Sequence, residues 1–271
     1  MPATRITSTA NPRLKAAARL RGRRERDKTG LTLIDGVRET MRALQGGAVL
    51  REVFIESGLL VEPEAKALLE RLGEESVPVL ELGRDAFAKL AYGDRLDGVV
   101  AVAETPLRTL ADLVLPAEPL IGVIEGVEKP GNLGAVLRTA DGAGVNAVIV
   151  ADSATDLFNP NIIRASLGTV FAVPVVVASS GEVLPWLVER GIAIVAARVD
   201  GSVDYAAANY RGALAIALGS EARGLSDAWA EMARDSVHVP MMGVADSLNV
   251  SVTAAVLFYE ALRQRRALGD L

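Results

Sequence analysis

Short apolar runs alternate with longer amphipathic stretches along the N-terminal part of the chain. The runs predict β-strands at residues 31–34, 53–55, 77–80 and 99–103. The amphipathic stretches predict helices at residues 38–44, 63–72 and 85–90. Upstream, Asn11-Pro12 predicts a helix start, and apolar residues at helical spacing extend that helix to about Arg26, with Gly30 ending it. The pattern is typical of a small α/β unit.

A second alternation of apolar runs and helical stretches begins at Leu120. Its predicted strands lie at residues 121–125, 147–150, 175–177, 192–196, 213–218 and 237–239. Several are apolar throughout, which is typical of parallel strands covered by helices on both faces. A last helix is predicted to begin near Ser247, with Ser247 as its N-cap. The face that we expect this helix to bury consists of Leu248, Val252, Val256, Tyr259 and Leu262.

Prolines separate the two alternating regions. Thr105-Pro106, Pro116 and Pro119 punctuate a stretch with room for one helical turn or more, which indicates a linker. The sequence therefore predicts an α/β protein in three parts. Residues 1–104 form an N-terminal helix and a small α/β domain, residues 105–119 form the linker, and residues 120–271 form a second α/β domain.

Composition narrows the chemistry that the chain can perform. Half of the residues are hydrophobic and 23% are charged, so we expect a well-formed core. The chain has no cysteine and one histidine, which excludes disulfides, thiolate zinc sites, a cysteine nucleophile and a multi-histidine metal site. No apolar run is long enough to span a bilayer, and no signal peptide is visible, so we expect a soluble cytoplasmic protein.

Charge is distributed unevenly along the chain. Residues 1–30 contain nine Lys or Arg and two Asp or Glu, a net charge of +7; the whole chain carries −5, so the remainder carries −12. A basic arm on an acidic body suits a phosphate backbone, although a solvated helix end would give the same local charge. The arginines of this region that we expect to contact nucleic acid are Arg13, Arg19, Arg23 and Arg24.

Three tempting patterns lack the context that their chemistry needs. The Gly-x-Gly-x-x-Ala pattern at residues 142–147 has the letters of a dinucleotide-binding fingerprint, yet it ends a predicted helix, so we interpret it as a helix C-cap. The glycine spacing at residues 126–131 matches a P-loop, but Asn132 stands where the lysine is required. His238 lies on a predicted strand and is interpreted as a half-exposed edge or core residue instead of a catalytic base.

Polar chemistry is concentrated in a segment that follows the strand ending at Glu125. A turn there leads into a helix that carries Asn132 and Arg138. Backbone N–H groups at such a helix start can hold phosphate or ribose oxygens. Asn132 could instead cap the helix, and Arg138 could be a solvated surface charge.

Two further polar segments follow strands of the same region. Residues 213–218 run into a loop at 219–225 whose glycines allow the backbone to approach a ligand closely, while Ser226 could merely start the next helix. The strand at 237–239 leads to a glycine-containing loop and to hydroxyl and amide side chains at residues 247–251. Two loops leaving strands of one sheet, together with the helix after Glu125, predict a concave site.

In this order and spacing, the three segments resemble the motifs of the SpoU/TrmH family of the SPOUT superfamily, the RNA ribose 2′-O-methyltransferases. The resemblance covers about residues 120–268 and rests on Asn132-x-Gly134-Ala135-x-x-Arg138, on Gly219-x-Glu221-x-x-Gly224-Leu225, and on Pro240-Met241 through Ser247-Leu248-Asn249-Val250-Ser251. The Arg164-Ala165-Ser166-x-Gly168 stretch is also similar. More loosely, the first unit resembles the ribosomal-protein-like RNA-binding domain of rRNA members such as the thiostrepton-resistance-type enzymes.

The resemblance implies a trefoil knot near the C-terminus, S-adenosylmethionine as the methyl donor without a metal, and a homodimer with the active site at the subunit interface. The implied cofactor-binding residues are Leu218, Gly219, Ser220, Glu221, Val239, Pro240, Met241, Ser247 and Leu248. The implied catalytic residues are Asn132, Arg138, Glu221, Ser247 and Asn249. Arg138 and Arg164 join the N-terminal arginines as expected RNA contacts.

The resemblance also assigns roles. Arg138 is expected to bind a phosphate and to stabilise negative charge on the ribose oxygen, because a guanidinium stays protonated and is a poor base. Asn132 is expected to position the ribose, and Glu221 to tie the second segment to the third. Ribosomal RNA, most simply of the large subunit, is the favoured substrate because of the separate N-terminal unit. The alternatives are a tRNA methyltransferase and a non-catalytic RNA-binding or ribosome-assembly factor on the same scaffold.

Overall fold

The computed structural model describes residues 4–6, 8–91, 97–153 and 155–267. Its strands are β1 (Thr4–Ile6), β2 (Leu31–Asp35), β3 (Leu50–Ile55), β4 (Val79–Leu82), β5 (Val99–Glu104), β6 (Leu120–Glu125), β7 (Ala147–Ala151), β8 (Val175–Ala178), β9 (Ala193–Ala197), β10 (Val203–Asp204), β11 (Leu214–Leu218) and β12 (Asp235–His238). Its α-helices are α1 (Pro12–Arg19), α2 (Arg23–Thr29), α3 (Val37–Gln45), α4 (Pro63–Glu74), α5 (Arg84–Leu90), α6 (Pro130–Ala143), α7 (Pro160–Ala165), α8 (Ser180–Glu189), α9 (Asp227–Met232) and α10 (Val250–Arg266).

The chain divides into two compact units. Unit 1 comprises Met1–Pro106 together with Asp156–Ala172, and unit 2 comprises Leu107–Thr155 together with Val173–Leu271. The segment Asp156–Ala172, which falls inside the range predicted for the second domain, packs with unit 1. Its anchor is the buried Arg26, whose Nε lies 3.1 Å from an Asp156 carboxylate oxygen. Sequence distance alone gives no hint of this pairing, because 130 residues separate the two partners.

Unit 1 is built on a mixed sheet. Among the described residues its strand order is β1-β4-β3-β5-β2, with β1, β4 and β3 parallel and β5 antiparallel to both β3 and β2. The four predicted strands are confirmed, while β1 is a fifth strand that the sequence pattern did not reveal. β1, which pairs with β4, has only three residues, and a strand of that length is too short for an alternating pattern to be recognised.

The prediction of one continuous N-terminal helix is wrong. The structure has two helices, α1 and α2, with a break at residues 20–22. The Arg26 guanidinium donates hydrogen bonds to the carbonyls of Leu20 and Arg21, at 2.5 and 2.8 Å. These two carbonyls therefore accept from a side chain instead of from the backbone N–H groups of a next helical turn. The predicted ends hold, because Asn11 caps α1 and Gly30, at φ 66°, ends α2.

The basic N-terminal region is a packed helix pair and not a free arm. Leu14, Ala17 and Leu20 are buried in the core of unit 1. Arg13 is bound to Glu52, with 2.7 Å between its Nε and the carboxylate. The side chains of Arg19 and Arg24 are exposed and have no hydrogen bond or ion pair among the described residues. The cations available to a ligand are thus fewer than the sequence count suggests.

Unit 2 is built on a parallel sheet, which confirms the α/β prediction. Within the described residues its order is β10-β12-β9-β11-β6-β7-β8, and every neighbouring pair is parallel. β7 and β11 are buried along their whole length, as their apolar sequences predict, and β6 is buried throughout as well, including its terminal Glu125. The two-residue strand β10 was missed for the same reason as β1. The trefoil knot stays a prediction.

The predicted buried face of the last helix is wrong. α10 begins at Val250, and it buries a face formed by Val250, Ala254, Leu257, Phe258 and Ala261. Val252 and Tyr259, predicted to be core residues, are about half exposed, at 47% and 51%. The helix carries two apolar stripes, one with Val252 and Tyr259 and one with Ala254 and Ala261. The second stripe is the buried one, because its small side chains allow close packing. Among the described residues, no helix is long and apolar enough to cross a membrane.

Candidate functional site

A cavity of about 590 Å³ lies at the carboxyl edge of the unit 2 sheet. Parallel α/β sheets bind ligands at this edge, and the volume is within the range of small-molecule sites, about 300–1,000 Å³. We call it the loop cavity. Its lining is Ala197, Arg198, Val199, Asp200, Leu218, Gly219, Ser220, Glu221, Arg223, Gly224, Leu225, Val237, His238, Val239, Met241, Asp246, Ser247, Leu248, Val250, Thr253 and Leu257.

One wall of the loop cavity is the segment at residues 219–225, which we call the glycine loop. It folds back on itself, since Gly224 N donates to Ser220 O at 2.9 Å. A Cβ atom on Gly219 would lie 1.9 Å from the carbonyl carbon of Gly224 and 2.0 Å from Leu225 N. Two backbone segments are therefore in contact where no side chain fits. This close approach is the physical reason for glycine at position 219.

Glu221 joins the three polar segments. Its carboxylate accepts hydrogen bonds from Asn132 Nδ2 at 3.0 Å, from Lys129 Nζ at 2.7 Å, and from the Asn249 side-chain amide. Asn249 Nδ2 also lies 3.3 Å from Asn132 Oδ1. The Lys129 ammonium holds the pKa of Glu221 below its usual value, so this carboxylate is ionised at neutral pH. The cluster fixes the helix α6, the glycine loop and the start of α10 together.

The predicted cap of the last helix is wrong, and the alternative interpretation of Asn132 as a helix cap does not hold. Asn132 is the third residue of α6, and the cap position is Lys129, so the Asn132 amide is free to bond with Glu221. Asn249, and not Ser247, caps α10: its Oδ1 accepts from Ser251 N at 2.9 Å. Ser247 is exposed in the loop before it and lines the loop cavity. Serine and asparagine are about equally good N-caps, so residue type did not distinguish Ser247 from Asn249.

Most residues expected to bind the cofactor line the loop cavity. Those that do are Leu218, Gly219, Ser220, Glu221, Val239, Met241, Ser247 and Leu248. Pro240, which lies between two lining residues, is exposed and does not line it. Of the expected catalytic residues, Asn132 and Asn249 reach the cavity rim through Glu221.

Arg138 stands apart from the lining residues. It is exposed on α6, and its guanidinium makes no hydrogen bond or ion pair within the part of the chain that the structure describes. It lies six residues after Asn132, which rotates it by about 120° around the helix axis. Arg138 and Asn132 therefore point to different sides of α6. The remaining expected RNA contacts, Arg164 on α7 and the N-terminal arginines, belong to unit 1.

Sequence reasoning missed the wall contributed by β9. Arg198, directly after this strand, binds Asp200 and Asp227 through its guanidinium, with 2.8 and 3.1 Å between the closest atoms. These carboxylates raise the pKa of Arg198 further above its ordinary value. His238 also lines the cavity, with Nδ1 2.8 Å from the Gly201 carbonyl oxygen. The sequence did predict β9 as a strand, and residues directly after a strand of a parallel sheet are candidates for a ligand site. The structure shows that the carboxyl end of β9 lies beside that of β11, which places Arg198 at the cavity.

Comparisons with known proteins match both parts of the chain. Residues 119–259 match the SpoU rRNA methylase family, and residues 11–101 match an MRM3-like substrate binding domain. The chain is 33% identical to the 23S rRNA (uridine(2479)-2′-O)-methyltransferase of Streptomyces viridochromogenes, over 97% of this chain and 94% of that one.

Solved structures are similar over nearly the whole length. A crystal structure described as an RNA 2′-O ribose methyltransferase has a TM-score of 0.86 and 46% identity, and covers 97% of this chain and 100% of its own. The SpoU methyltransferase AviRb from Streptomyces viridochromogenes, in complex with the cofactor AdoMet, has a TM-score of 0.85 and 30% identity, over 95% of this chain and 100% of that one.

Proposed function

The chain belongs to the SpoU rRNA methylase family, and from that premise we propose how its residues methylate a ribose 2′-hydroxyl of large-subunit ribosomal RNA. It is an S-adenosylmethionine-dependent RNA 2′-O-methyltransferase. The observation that carries the assignment of the site is the Glu221 cluster, which joins three separate segments at the rim of one cavity. We propose the cytoplasm as its location, as relatives named for 23S rRNA imply.

The loop cavity suits the methyl donor. Leu218, Val239 and Leu248 supply apolar surface for a purine, and the main chain of the glycine loop supplies donors and acceptors for its edge. Gly219 supports this use, because the close backbone approach that it allows fixes the conformation of the loop that lines the cavity.

S-adenosylmethionine supplies an activated methyl group on its sulfonium. The protein's task is therefore to align the 2′-oxygen with that methyl group and to help the hydroxyl lose its proton. In our proposal, Asn132 and Asn249, held by the ionised Glu221, orient the nucleotide. Arg138 stays protonated, binds a neighbouring phosphate and stabilises negative charge on the 2′-oxygen.

A homodimer accounts for the position of Arg138. Arg138 lies one turn before Gly142 on α6. Gly142 contacts α10, since a Cβ atom on it would lie 2.9 Å from the Tyr259 hydroxyl oxygen. Tyr259, Val256 and Val252 follow one another at helical spacing; we call them the apolar strip of α10. Arg138 thus adjoins an apolar, partly exposed surface and not the cavity of its own chain. We propose that this surface pairs with a second copy, whose donor site receives the guanidinium.

We predict that Val252→Glu converts a dimer into a monomer and lowers methyl transfer at least tenfold. A charge placed in a buried apolar interface loses hydration without gaining a partner. Sedimentation or light scattering gives the mass, and transfer of labelled methyl groups gives the rate. Val188→Glu is the matched control, since Val188 on α8 is similarly exposed at 54%. A dimeric, fully active Val252→Glu variant would contradict the proposed interface.

The exposed arginines of unit 1 are expected to hold RNA phosphates. Replacing Arg19 and Arg24 together by serine should weaken rRNA binding and reduce the slope of log K against log salt by about 2, because each lost phosphate contact releases about one counterion fewer. Truncation is a poorer test, since Leu14, Ala17 and Leu20 belong to the core. Fluorescence titration at several salt concentrations measures the slope. A double Lys66→Ser, Arg71→Ser variant of α4 removes the same charge elsewhere, and an equal effect from it would refute a specific role.

Binding and transfer assays separate the substrate alternatives. Calorimetric titration with S-adenosylmethionine is expected to show donor binding. Transfer of tritiated methyl groups from the donor is then expected to label 23S rRNA and to leave bulk tRNA unlabelled. Preferential labelling of tRNA would favour the tRNA alternative. Donor binding without transfer to either RNA would favour an RNA-binding or assembly role.

A further inference from the structure

Glu125, the last residue of β6, is a buried carboxylate with no cation beside it in the described part of the chain. It is 9% exposed. One oxygen, Oε2, accepts from the backbone N–H of Ser226 at 2.7 Å. The other, Oε1, accepts from the Ser226 hydroxyl at 2.7 Å, from Trp229 Nε1 at 3.0 Å and from the Ser180 hydroxyl at 3.1 Å. Four neutral donors thus surround one buried carboxylate group.

The partner that matters is Ser226, because it ends the glycine loop. Leu218, at the end of β11, fixes the loop's first end in the sheet, where it pairs with Ile124 of β6. Ser226 fixes the second end and begins α9, but its side chain makes no cap hydrogen bond to that helix. The hydroxyl bonds to Glu125 instead. Both ends of the loop are therefore held against β6, one through the backbone and the other through this carboxylate.

Glu125 also leads directly into the segment that carries Asn132. Five residues after Glu125, α6 begins, and Asn132 reaches Glu221 on the glycine loop. The loop is consequently tied to β6 by Glu125 at its far end and to α6 by Glu221 at its middle. Losing the first tie would leave the second in place, but would free the part of the loop that runs from Glu221 to Ser226.

We propose that Glu125 is a positioning residue for the methyl donor: its carboxylate holds the far end of the glycine loop in the conformation that binds S-adenosylmethionine. The proposal rests on the use of the loop cavity by the donor. Glu125 does not line that cavity, so it acts through Ser226 and touches neither the donor nor the RNA.

A carboxylate is required by the donors that surround it. Each of its oxygens accepts from an N–H group, Ser226 N on one side and Trp229 Nε1 on the other. A glutamine has the same shape, but in either orientation its NH₂ group faces one of these N–H groups. Buried donors that lose their acceptor force a rearrangement. The isosteric change Glu125→Gln therefore probes the charge and acceptor pattern with little change in volume.

The test compares three variants of the full-length protein by calorimetric titration with S-adenosylmethionine and by steady-state kinetics. Glu125→Gln is expected to raise the donor Kd and KM about tenfold, with kcat at saturating donor within about twofold of wild type. Ser226→Ala, which retains the backbone N–H but loses the hydroxyl, is expected to raise Kd about threefold. Gln264→Leu is the matched control. Gln264 is also 9% exposed and accepts from a backbone N–H, Tyr210 N at 3.0 Å, but its partners lie away from the cavity.

The outcomes separate positioning from general stability. Gln264→Leu should lower the melting temperature and leave the donor Kd unchanged. A folded Glu125→Gln variant with wild-type Kd overturns the proposal, and so does an equal loss of affinity in Gln264→Leu. If Glu125→Gln fails to fold, Ser226→Ala becomes the test of the proposal, and a wild-type donor Kd for Ser226→Ala overturns it. Wild-type protein that binds no donor would instead refute the assignment of the cavity.

Discussion

Replacing Arg138 with alanine will lower the rate of methyl transfer by about a hundred- to thousandfold and leave the affinity for S-adenosylmethionine within about twofold of wild type. Loss of one strong electrostatic contact to a transition state has an effect of this size, about 2.7–4 kcal/mol. The donor affinity should survive because the proposed partners of Arg138 are an RNA phosphate and the 2′-oxygen, while every residue that lines the loop cavity is unchanged. Single-turnover transfer of a labelled methyl group measures the rate, and calorimetry measures the affinity.

Two further variants sharpen this result. Arg138→Lys keeps the positive charge but loses the planar fork that binds phosphate in two places, so we expect an intermediate rate. Arg211→Ala removes another exposed arginine of unit 2 and should leave the rate unchanged. If Arg138→Ala turned over within tenfold of wild type, Arg138 would have no part in the transition state, and the proposed reason for a dimeric site would disappear with it.

The sequence predicted those parts of the fold that local patterns control. Fully apolar runs such as β7 and β11 became central parallel strands, because only strands covered on both faces bury every side chain. Gly144 ends α6 at φ 70°, as its position after a helical stretch predicts. The three polar segments were also found, since each directly follows a predicted strand and parallel strands end at one edge.

What the sequence did not predict depends on contacts between distant residues. The break between α1 and α2 and the packing of Asp156–Ala172 both depend on Arg26, which meets Asp156 only in the folded chain. α10 carries two apolar stripes, and spacing alone does not say which one packs inside and which one is left for a partner. Arg198 and Glu125 were overlooked because their roles lie in tertiary hydrogen bonds to the glycine loop and its end.

Replacing Gly219 with alanine will raise the Kd for S-adenosylmethionine about a hundredfold. The added methyl group would meet the backbone of Gly224 at 1.9 Å and Leu225 N at 2.0 Å, and backbone atoms cannot turn away as a flexible side chain can. The glycine loop must therefore open by about an ångström or more, and a displacement of that size at a binding wall is enough for a hundredfold effect.

The matched control for this change is Gly243→Ala. Gly243 lies in the loop between β12 and α10, and a Cβ atom there would have no neighbour within 4 Å, so donor affinity should be retained. Thermal melts of both variants separate loop displacement from unfolding, since overpacking by one methyl group costs about 1–3 kcal/mol and leaves most domains folded. A folded Gly219→Ala protein with wild-type donor affinity would mean that the donor does not bind against the glycine loop. The catalytic proposal for Asn132 and Asn249 would then also fail, because Glu221 on that loop holds both amides.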